Sequence, residues 1–313
     1  MFYAKLGRSD LNISKMTLGT WLTAGDTLTA SALEKVLRAA DQIGINAVDT
    51  ADSYAFGDCE RALGAALKEY SSHHFVVMTK CYFSTDRNSP DTPRGLSRKA
   101  IFDSAQDSLT RLGIDCIDLL QCHRPDPKIT VAETVEAMEE LVQQGKIRWW
   151  GVSKWPDAKI AEAYATGATH LVSSQELYNL FHREPEKEHL AFCAKKEMGF
   201  LAYSPLARGI LTGKYHSGVP EDSRAAHAQN KTTVYDLTSE KLAVVDQLAL
   251  IAKRINCTTA QLALAYLLHI SEVSSVLLGI SRQQQLQDNA RAVDIALSPT
   301  DVAQITSLFS SYI

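Results

Sequence analysis

Eight short apolar runs, separated by longer helical stretches, constrain the fold of this chain more than any other feature. Each run has four to six residues bounded by helix or turn signals, as expected for parallel strands buried on both faces. This alternation favours a closed (β/α)8 TIM barrel over an open sheet. The predicted strands are Met16–Thr20, Asn46–Thr50, Phe75–Lys80, Ile117–Cys122, Ile147–Val152, Leu171–Gln175, Phe200–Tyr203 and Ser275–Leu278.

Apolar periodicity and capping residues predict helices between these strands. Val131, Val135 and Met138 recur at helical spacing, and Thr130 with Glu133 has the spacing of a capping box at the start of that helix. Glycines follow several of these patterns, as expected where a helix ends in a left-handed residue. Strand and helix signals therefore alternate along most of the chain.

Three additions to the barrel are predicted. Phe2–Ser14 is expected to form a short hairpin against the barrel floor. Ser204–Leu237 is expected to be a long seventh loop, and loops of that length usually carry function. Two helices, Ser239–Ile255 and Thr259–His269, lead to the last strand, and a final helix, Pro299–Phe309, follows it.

The composition is typical of a folded globular protein. Of the 313 residues, 45% are hydrophobic and 22% are charged, enough for a sizeable core. The net charge of −4 and the pI of about 6.1 argue against nucleic acid as a partner. No segment reaches the roughly 18 consecutive apolar residues of a transmembrane helix, and the N-terminus lacks the apolar run of a secretory signal.

The six cysteines are dispersed and form no Cys-x-x-Cys pair. This pattern favours reduced thiols and a cytoplasmic location over a disulfide framework. No ligand spacing indicates a metal site, and His73-His74 is expected to be a surface pair. Because no linker or repeat interrupts the chain, we expect residues 1–313 to form a single barrel domain.

Four polar residues lie at the carboxyl ends of successive strands, where the active sites of such barrels are found. Asp49 lies at the end of the second predicted strand, and Tyr54 follows in the next loop. Lys80 ends the third strand, and His123 comes directly after the fourth. Any one of these residues alone is more often structural or solvated. Their convergence on one rim indicates a catalytic group.

These residue types suit proton delivery to a carbonyl oxygen that receives a hydride. A free tyrosine has a pKa near 10, and an adjacent ammonium favours its ionised form. We therefore expect Lys80 to lower the pKa of Tyr54 and Asp49 to hold the lysine. His123 would orient and polarise the carbonyl group.

Longer motifs around these positions resemble a known family. GINAVDTADSY, MTK, QCHRPDP and AYSPLARGILTGKY are similar to stretches of the aldo-keto reductases, and the resemblance extends from about residue 18 to about residue 292. GLSRKAI, HRPDP, the paired tryptophans before GVSKW, and SSVLLG resemble the branch that includes the β subunits of voltage-gated potassium channels. The resemblance implies a catalytic tetrad of Asp49, Tyr54, Lys80 and His123, with Tyr54 as general acid.

The resemblance also implies a nicotinamide cofactor that lies extended across the barrel mouth. The chain has no Gly-x-Gly-x-x-Gly motif, and Gly209–Lys214 is one residue too short for a phosphate loop. Ser153 and Gln175 would hold the carboxamide, and Tyr203 would stack on the nicotinamide ring. The remaining implied contacts are Trp21, Thr27, Asp49, Lys154, Ser204, Pro205, Leu206, Ala207, Gly209, Lys214, Arg224, Gly279, Ser281, Arg282, Gln285, Asp288 and Asn289.

Three cations favour NADPH over NADH. Lys214, Arg224 and Arg282 would neutralise the 2′-phosphate, although a single loop cation is more often simply solvated. The family commonly has Asn where this chain has Lys154, and the channel branch has Arg. Direct contact between this side chain and the carboxamide is therefore in doubt.

The sequence thus predicts NADPH-dependent reduction of aldehydes, with ketones as a second class, to alcohols. Aromatic residues indicate an apolar part in the small-molecule substrate; the predicted substrate contacts are Trp21, Tyr54, Phe83, His123 and Trp155. The alternative is a regulatory subunit, similar to the channel β subunits, that binds NADPH as a redox signal. Channel subunits carry Asn at the position of His123, and we expect no N-terminal extension that could block a pore. Both points favour the enzyme.

A third alternative is a catalytically inactive scaffold, which would leave the convergence of four reactive groups unexplained. The physiological substrate and the oligomeric state are not determined by these patterns. The channel-like branch leaves a homo-oligomer open.

Overall fold

The protein is described here by a computed structural model covering residues 1–21, 30–216, 218–221, 223, 226, 237–280 and 282–313. Eight parallel strands close into a barrel in which each strand pairs with the next along the chain and the last pairs with the first. All eight predicted strands are confirmed, with ends that differ by at most two residues. They are β3 (Met16–Gly19), β4 (Ala47–Asp49), β5 (Val76–Cys81), β6 (Ile117–Cys122), β7 (Ile147–Ser153), β8 (Leu171–Leu177), β9 (Gly199–Tyr203) and β10 (Val273–Gly279).

The helices that cover the barrel start and stop at the predicted signals. Thr130 accepts a hydrogen bond from the backbone of Glu133, and Gly113 ends another helix in the left-handed conformation at φ +66°. The helices are α1 (Ala30–Gln42), α2 (Asp58–Leu67), α3 (Arg98–Leu112), α4 (Val131–Gln143), α5 (Asp157–Ala165), α6 (His189–Lys195), α7 (Ser239–Arg254), α8 (Thr259–His269), α9 (Gln283–Ala290) and α10 (Pro299–Leu308). No residue pattern in the sequence analysis had singled out α2, α5 or α9.

The predicted N-terminal hairpin is confirmed and closes the barrel floor. Its strands β1 (Tyr3–Lys5) and β2 (Asn12–Ser14) pair antiparallel. Leu6 and Ile13 are fully buried in a cluster with residues from the strands, including Met78. Gly7 is required there, because a Cβ at its φ of +58° would lie 2.5 Å from a carbonyl oxygen of β8.

A second, larger apolar cluster fills the layer between the strands and the helices. Every residue of β6 is buried, including the polar Asp118 and Gln121, as expected for a parallel strand covered on both faces. Among the described residues, none of the helices is long and apolar enough to cross a membrane.

The described part of the long seventh loop begins with a tight turn. Ala207–Thr212 forms a 3-10 helix interrupted at Arg208 and Gly209, which have φ of 55° and 96°. Ser204 and Ala207 also have positive φ. This conformation is unusual for side chains with a Cβ, and such backbone is often found at functional sites.

Candidate active site

Lys80 lies at the barrel mouth, at the centre of a group of hydrogen-bonded residues. Its Nζ donates to Asp49 Oδ2 at 2.6 Å, to the backbone oxygen of Thr50 at 2.7 Å and to the hydroxyl of Tyr54 at 3.2 Å. These three acceptors use all three N–H groups of the ammonium. Lys80 is fully buried and Asp49 is 3% exposed. The structure thus brings together three of the four predicted catalytic residues in direct contact.

The buried ammonium keeps its charge. Burial by itself lowers the pKa of Lys80. The charges of Asp49 and Tyr54 and their hydrogen bonds raise that pKa by more than burial lowers it, so the net shift is upward. Lys80 therefore stays protonated at neutral pH and holds a fixed positive charge beside the phenol.

Tyr54 begins a short turn directly after β4. Burial raises the pKa of its hydroxyl, and the Lys80 charge offsets this only in part. The sequence-based expectation of a net lowering by Lys80 is therefore wrong, because the phenol is taken out of water as well as placed beside a cation. Tyr54 remains a protonated donor at neutral pH.

His123 lies on the same rim as a neutral imidazole. Burial and the nearby charges of Lys80, Arg124 and Lys154 hold its pKa well below the usual value. Its ring packs edge-on against Tyr54, with centroids 5.9 Å apart. The Nδ1 atom makes no hydrogen bond to any described residue. A neutral imidazole can donate one N–H bond to a carbonyl oxygen without releasing its proton.

Gln121 belongs to the site but was not predicted. Its Nε2 donates to Asp49 Oδ1 at 3.3 Å, and Nε2 of Gln175 donates to the same oxygen at 2.9 Å. Gln121 lies two positions before His123, so the pleat of β6 predicts that both side chains share the barrel interior. That spacing is the signal that could have found it.

Four of the five predicted substrate contacts form a continuous aromatic wall. Trp21 lies 6.4 Å from Tyr54, and Phe83 meets His123 edge-on at 4.8 Å, both measured between ring centroids. Trp21 is 44% exposed at the mouth. Trp155 differs: it is 3% exposed and packs in the apolar layer under the helices, and it makes no ring contact with the other four among the described residues.

The predicted carboxamide contacts lie side by side. Ser153 and Gln175 are partners in the register of β7 and β8. Because Gln175 uses its Nε2 on Asp49 and Gln121, its carbonyl oxygen remains available to a carboxamide N–H. Lys154 has φ 55°, and its Nζ lies 5.7 Å from the ring centre of Tyr203. These residues fit the nicotinamide end of a cofactor.

A half-buried carboxylate, also unpredicted, holds the backbone of Lys154 in place. Glu176 accepts the backbone N–H of Lys154 at 2.7 Å and the hydroxyl of Ser174 at 3.2 Å. Burial raises the pKa of Glu176 above its usual value. Its position next to Gln175 on β8 would not by itself have revealed this contact.

The other predicted cofactor residues lie around the seventh loop and the end of β10. Lys214 is exposed and lies over the ring of Tyr215, while Gly279 at the end of β10 and Arg282 just before α9 are also exposed. Gln285, Asp288 and Asn289 are half-buried on α9. Three predicted residues lie outside the described residues: Thr27, Arg224 and Ser281.

Comparison with known proteins places this site in a family. Residues 15–309 match the Aldo/keto reductase family. The chain is 36% identical to a probable voltage-gated potassium channel subunit beta from Arabidopsis thaliana, over 99% of this chain and 97% of the relative. It is also 36% identical to a putative voltage-gated potassium channel subunit beta from Schizosaccharomyces pombe, over 97% of this chain and 92% of the relative.

Among solved structures, the chain is similar to a thermostable aldo-keto reductase in complex with the inhibitor epalrestat. The two share 30% sequence identity with a TM-score of 0.80, and the match covers 98% of this chain and 100% of the other. The barrel, the floor hairpin and the match over nearly the whole length agree with one another. The chain belongs to the aldo/keto reductase family.

Proposed function

We propose that this protein reduces aldehydes, and ketones as a second class, to alcohols with NADPH, and that Tyr54 supplies the proton. Membership of the family supports the coarser activity, NAD(P)H-dependent reduction of carbonyl compounds. The observation that carries the finer proposal is the contact between Tyr54 and the buried, charged Lys80 beside a neutral His123.

The proton step follows from the charges of these residues. When bound, the reduced nicotinamide supplies a hydride to the carbonyl carbon. Neutral His123 donates a hydrogen bond to the carbonyl oxygen and orients it toward Tyr54. Tyr54 then transfers its phenolic proton to the oxygen, and Lys80 stabilises the phenolate that forms, because its ammonium already donates to that atom. Asp49 keeps the ammonium in place.

For the cofactor, we propose NADPH held between the ends of β7–β9 and the segment from Gly279 to α9. Gln175 and Ser153 would bind the carboxamide, and Tyr203 would stack on the ring. The exposed cations Lys214 and Arg282 support a preference for the 2′-phosphate. We also propose a single domain in the cytoplasm; all six cysteines are free thiols, which suits a reducing compartment.

The test compares purified wild type with Tyr54→Phe. We expect NADPH oxidation with 4-nitrobenzaldehyde in the wild type and a loss of about 10²- to 10⁴-fold in kcat in the variant, the usual contribution of a general acid. NADPH affinity, measured by fluorescence titration, should stay close to that of the wild type. Equal turnover by the two proteins would refute the role of Tyr54.

A second candidate is a redox-sensing regulatory subunit, favoured by the similarity to two proteins named as potassium channel subunits. Such a protein would bind NADPH tightly and oxidise each bound NADPH at most once, without exchanging it for a second turnover. A pre-steady-state experiment with a panel of aldehydes separates the two functions. Sustained multiple turnovers favour the enzyme, and a single slow oxidation favours the sensor.

A further inference from the structure

Two residues around the proposed cofactor site have a left-handed backbone although neither is glycine. Lys154 comes directly after β7 and has φ 55°, and Ser204 comes directly after β9 and has φ 52°. A Cβ disfavours these angles, so contacts with neighbouring residues must hold both turns. Each turn follows a residue that we propose to contact the nicotinamide, Ser153 in one case and Tyr203 in the other.

Strand β8 lies between these two strands and supplies a contact to each turn. It pairs with β7 on one side and with β9 on the other. Glu176, near the end of β8, accepts the backbone N–H of Lys154 at 2.7 Å. Asn179, two residues beyond that end, is fully buried and donates Nδ2 to the backbone oxygen of Ser204 at 2.9 Å. The carboxyl end of β8 thus holds the backbone on both sides of the site.

Glu176 is itself held by a chain of hydrogen bonds that reaches α5 and α6. The hydroxyl of Ser174 donates to Glu176 Oε1 at 3.2 Å and lies 3.0 Å from Nε2 of His189, at the start of α6. Nδ1 of His189 contacts Oδ1 of Asp157, at the start of α5. Because Ser174 has one hydroxyl proton and gives it to Glu176, Nε2 must donate to Ser174. Asp157 accepts at Nδ1, so the chain is complete when both ring nitrogens carry a proton.

Serine, histidine and aspartate in this order also form the catalytic group of many hydrolases. That alternative does not fit here, because Ser174 is fully buried and gives its proton to Glu176. The group acts on Glu176 instead. Burial raises the pKa of this carboxyl, and the charge of protonated His189 is the largest of the effects that oppose the rise. A charged carboxylate is the stronger acceptor for the N–H of Lys154.

We propose that Glu176 is a positioning residue for the cofactor, because it fixes the left-handed backbone of Lys154. His189 and Ser174 keep the carboxylate in place for this role. This inference rests on the proposed cofactor site. Without the contact, the chain after β7 would relax toward ordinary backbone angles and turn Ser153 and Lys154 away from the nicotinamide. The carboxylate takes no part in the reaction and acts only through that backbone.

The test is a double-mutant cycle at positions 154 and 176, with NADPH affinity measured by fluorescence titration. Lys154→Ala and Lys154→Gly both remove the lysine side chain, but only glycine adopts φ 55° readily. We expect Glu176→Met to weaken NADPH binding by about tenfold in the wild type and in Lys154→Ala. In Lys154→Gly the same substitution should weaken it by less than about threefold. Glu176→Gln keeps an oxygen acceptor and should retain most of the affinity.

The contact is also measured without the cofactor, by hydrogen exchange of the Lys154 backbone amide. Glu176→Met should speed this exchange by about tenfold, as expected for the loss of a hydrogen bond to a charged group. His189→Leu should speed it by less, because Ser174 still donates to the carboxylate. The matched control is His170→Leu, which removes another histidine–carboxylate contact, to Glu139, just before β8. It should leave both the exchange and the NADPH affinity unchanged.

The outcomes separate this inference from the function on which it rests. If the wild type does not bind NADPH, the cofactor proposal fails, and the inference fails with it even if the exchange shows the contact. If NADPH binds but Glu176→Met weakens it equally in Lys154→Ala and Lys154→Gly, the cofactor proposal stands and the positioning role is overturned. Faster exchange with unchanged affinity would overturn it as well. Should Glu176→Met not fold, His189→Leu replaces it in the cycle, with the same dependence on residue 154 expected at a smaller size.

Discussion

The two sides of the barrel mouth are built in different ways. The proposed catalytic side consists of Asp49, Lys80, Gln121 and His123 at the ends of β4, β5 and β6; these residues are buried, and Asp49 accepts hydrogen bonds from Lys80 and Gln121. The proposed cofactor side, from Tyr203 through Lys214 and on to α9, consists largely of exposed or half-buried loop and helix residues with several positive-φ positions.

Because of this difference, we assign the reaction to the residues at the strand ends and the binding of the cofactor to the loop and helix residues. Strand ends hold reacting groups within a narrow range of positions because the barrel register fixes them. A loop can change its residues, and hence its ligand, without disturbing the core. We therefore expect substitutions on the catalytic side to affect stability and turnover together, and substitutions on the cofactor side to affect affinity alone.

The largest effect is expected for Lys80→Met. Removing the ammonium leaves Asp49 buried beside two glutamine amides without a counter-charge, and breaking a buried pair costs about 3–5 kcal/mol of unfolding free energy. Chemical denaturation would measure it, and turnover should be lost as well.

The control for this prediction is Lys99→Met on α3. Its pair with Asp103 is exposed to solvent, so little change in stability is expected. An equally small change in Lys80→Met would show that the catalytic side is not held together by the hydrogen bonds of Lys80. The catalytic and cofactor sides would then not differ in their contribution to stability.

A smaller effect on the free energy of unfolding is expected for Asp52→Asn, at a position behind the catalytic side. Asp52 is fully buried, accepts a hydrogen bond from Ser104, and leaves Oδ1 without a partner among the described residues. Burial, together with the Glu60 charge, raises its pKa to about 7, although Arg111 and Arg94 oppose this.

Because the folded protein holds this proton more tightly than the unfolded chain, the stabilisation from Asp52 is full below about pH 4 and is lost as the pH rises to about 7. The Asp52→Asn variant has no carboxyl group to ionise at this position, so it does not lose this stabilisation as the pH rises. Relative to the wild type, the variant should gain about 3 kcal/mol of unfolding free energy between pH 5 and pH 8. Parallel pH profiles of denaturation for the two proteins would contradict the assignment.

The smallest effect is expected on the cofactor side. Lys214→Ala should weaken NADPH binding by about tenfold, with little change for NADH, if the lysine meets the 2′-phosphate. The melting temperature should not change, because the side chain is exposed. Lys195→Ala on α6 is the control for loss of a surface charge. An equal loss of NADPH and NADH affinity would argue against the phosphate contact.

Much of the fold could be predicted because its signals are local. Strand β6 could be recognised because most of its residues are apolar and it is buried on both faces, and α4 could be placed because Thr130 caps its first turn. The grouping of Asp49, Tyr54 and Lys80 could be predicted as well, because the carboxyl ends of the strands of a closed barrel meet at one rim. Gln121 was missed although its spacing to His123 marked it, and Glu176 was missed because its bond to Lys154 crosses between two strands.

The sequence by itself determined the order of strands and helices and placed Asp49, Tyr54, Lys80 and His123 at one end of the barrel. Only the tertiary structure decided the directions of the pKa shifts of Tyr54, Lys80 and His123, because a pKa depends on burial and on charges that come from distant parts of the chain. It also decided that the Glu176 carboxylate accepts the backbone N–H of Lys154, 22 positions earlier in the sequence. That contact results from the pairing of β7 with β8, which no local pattern records.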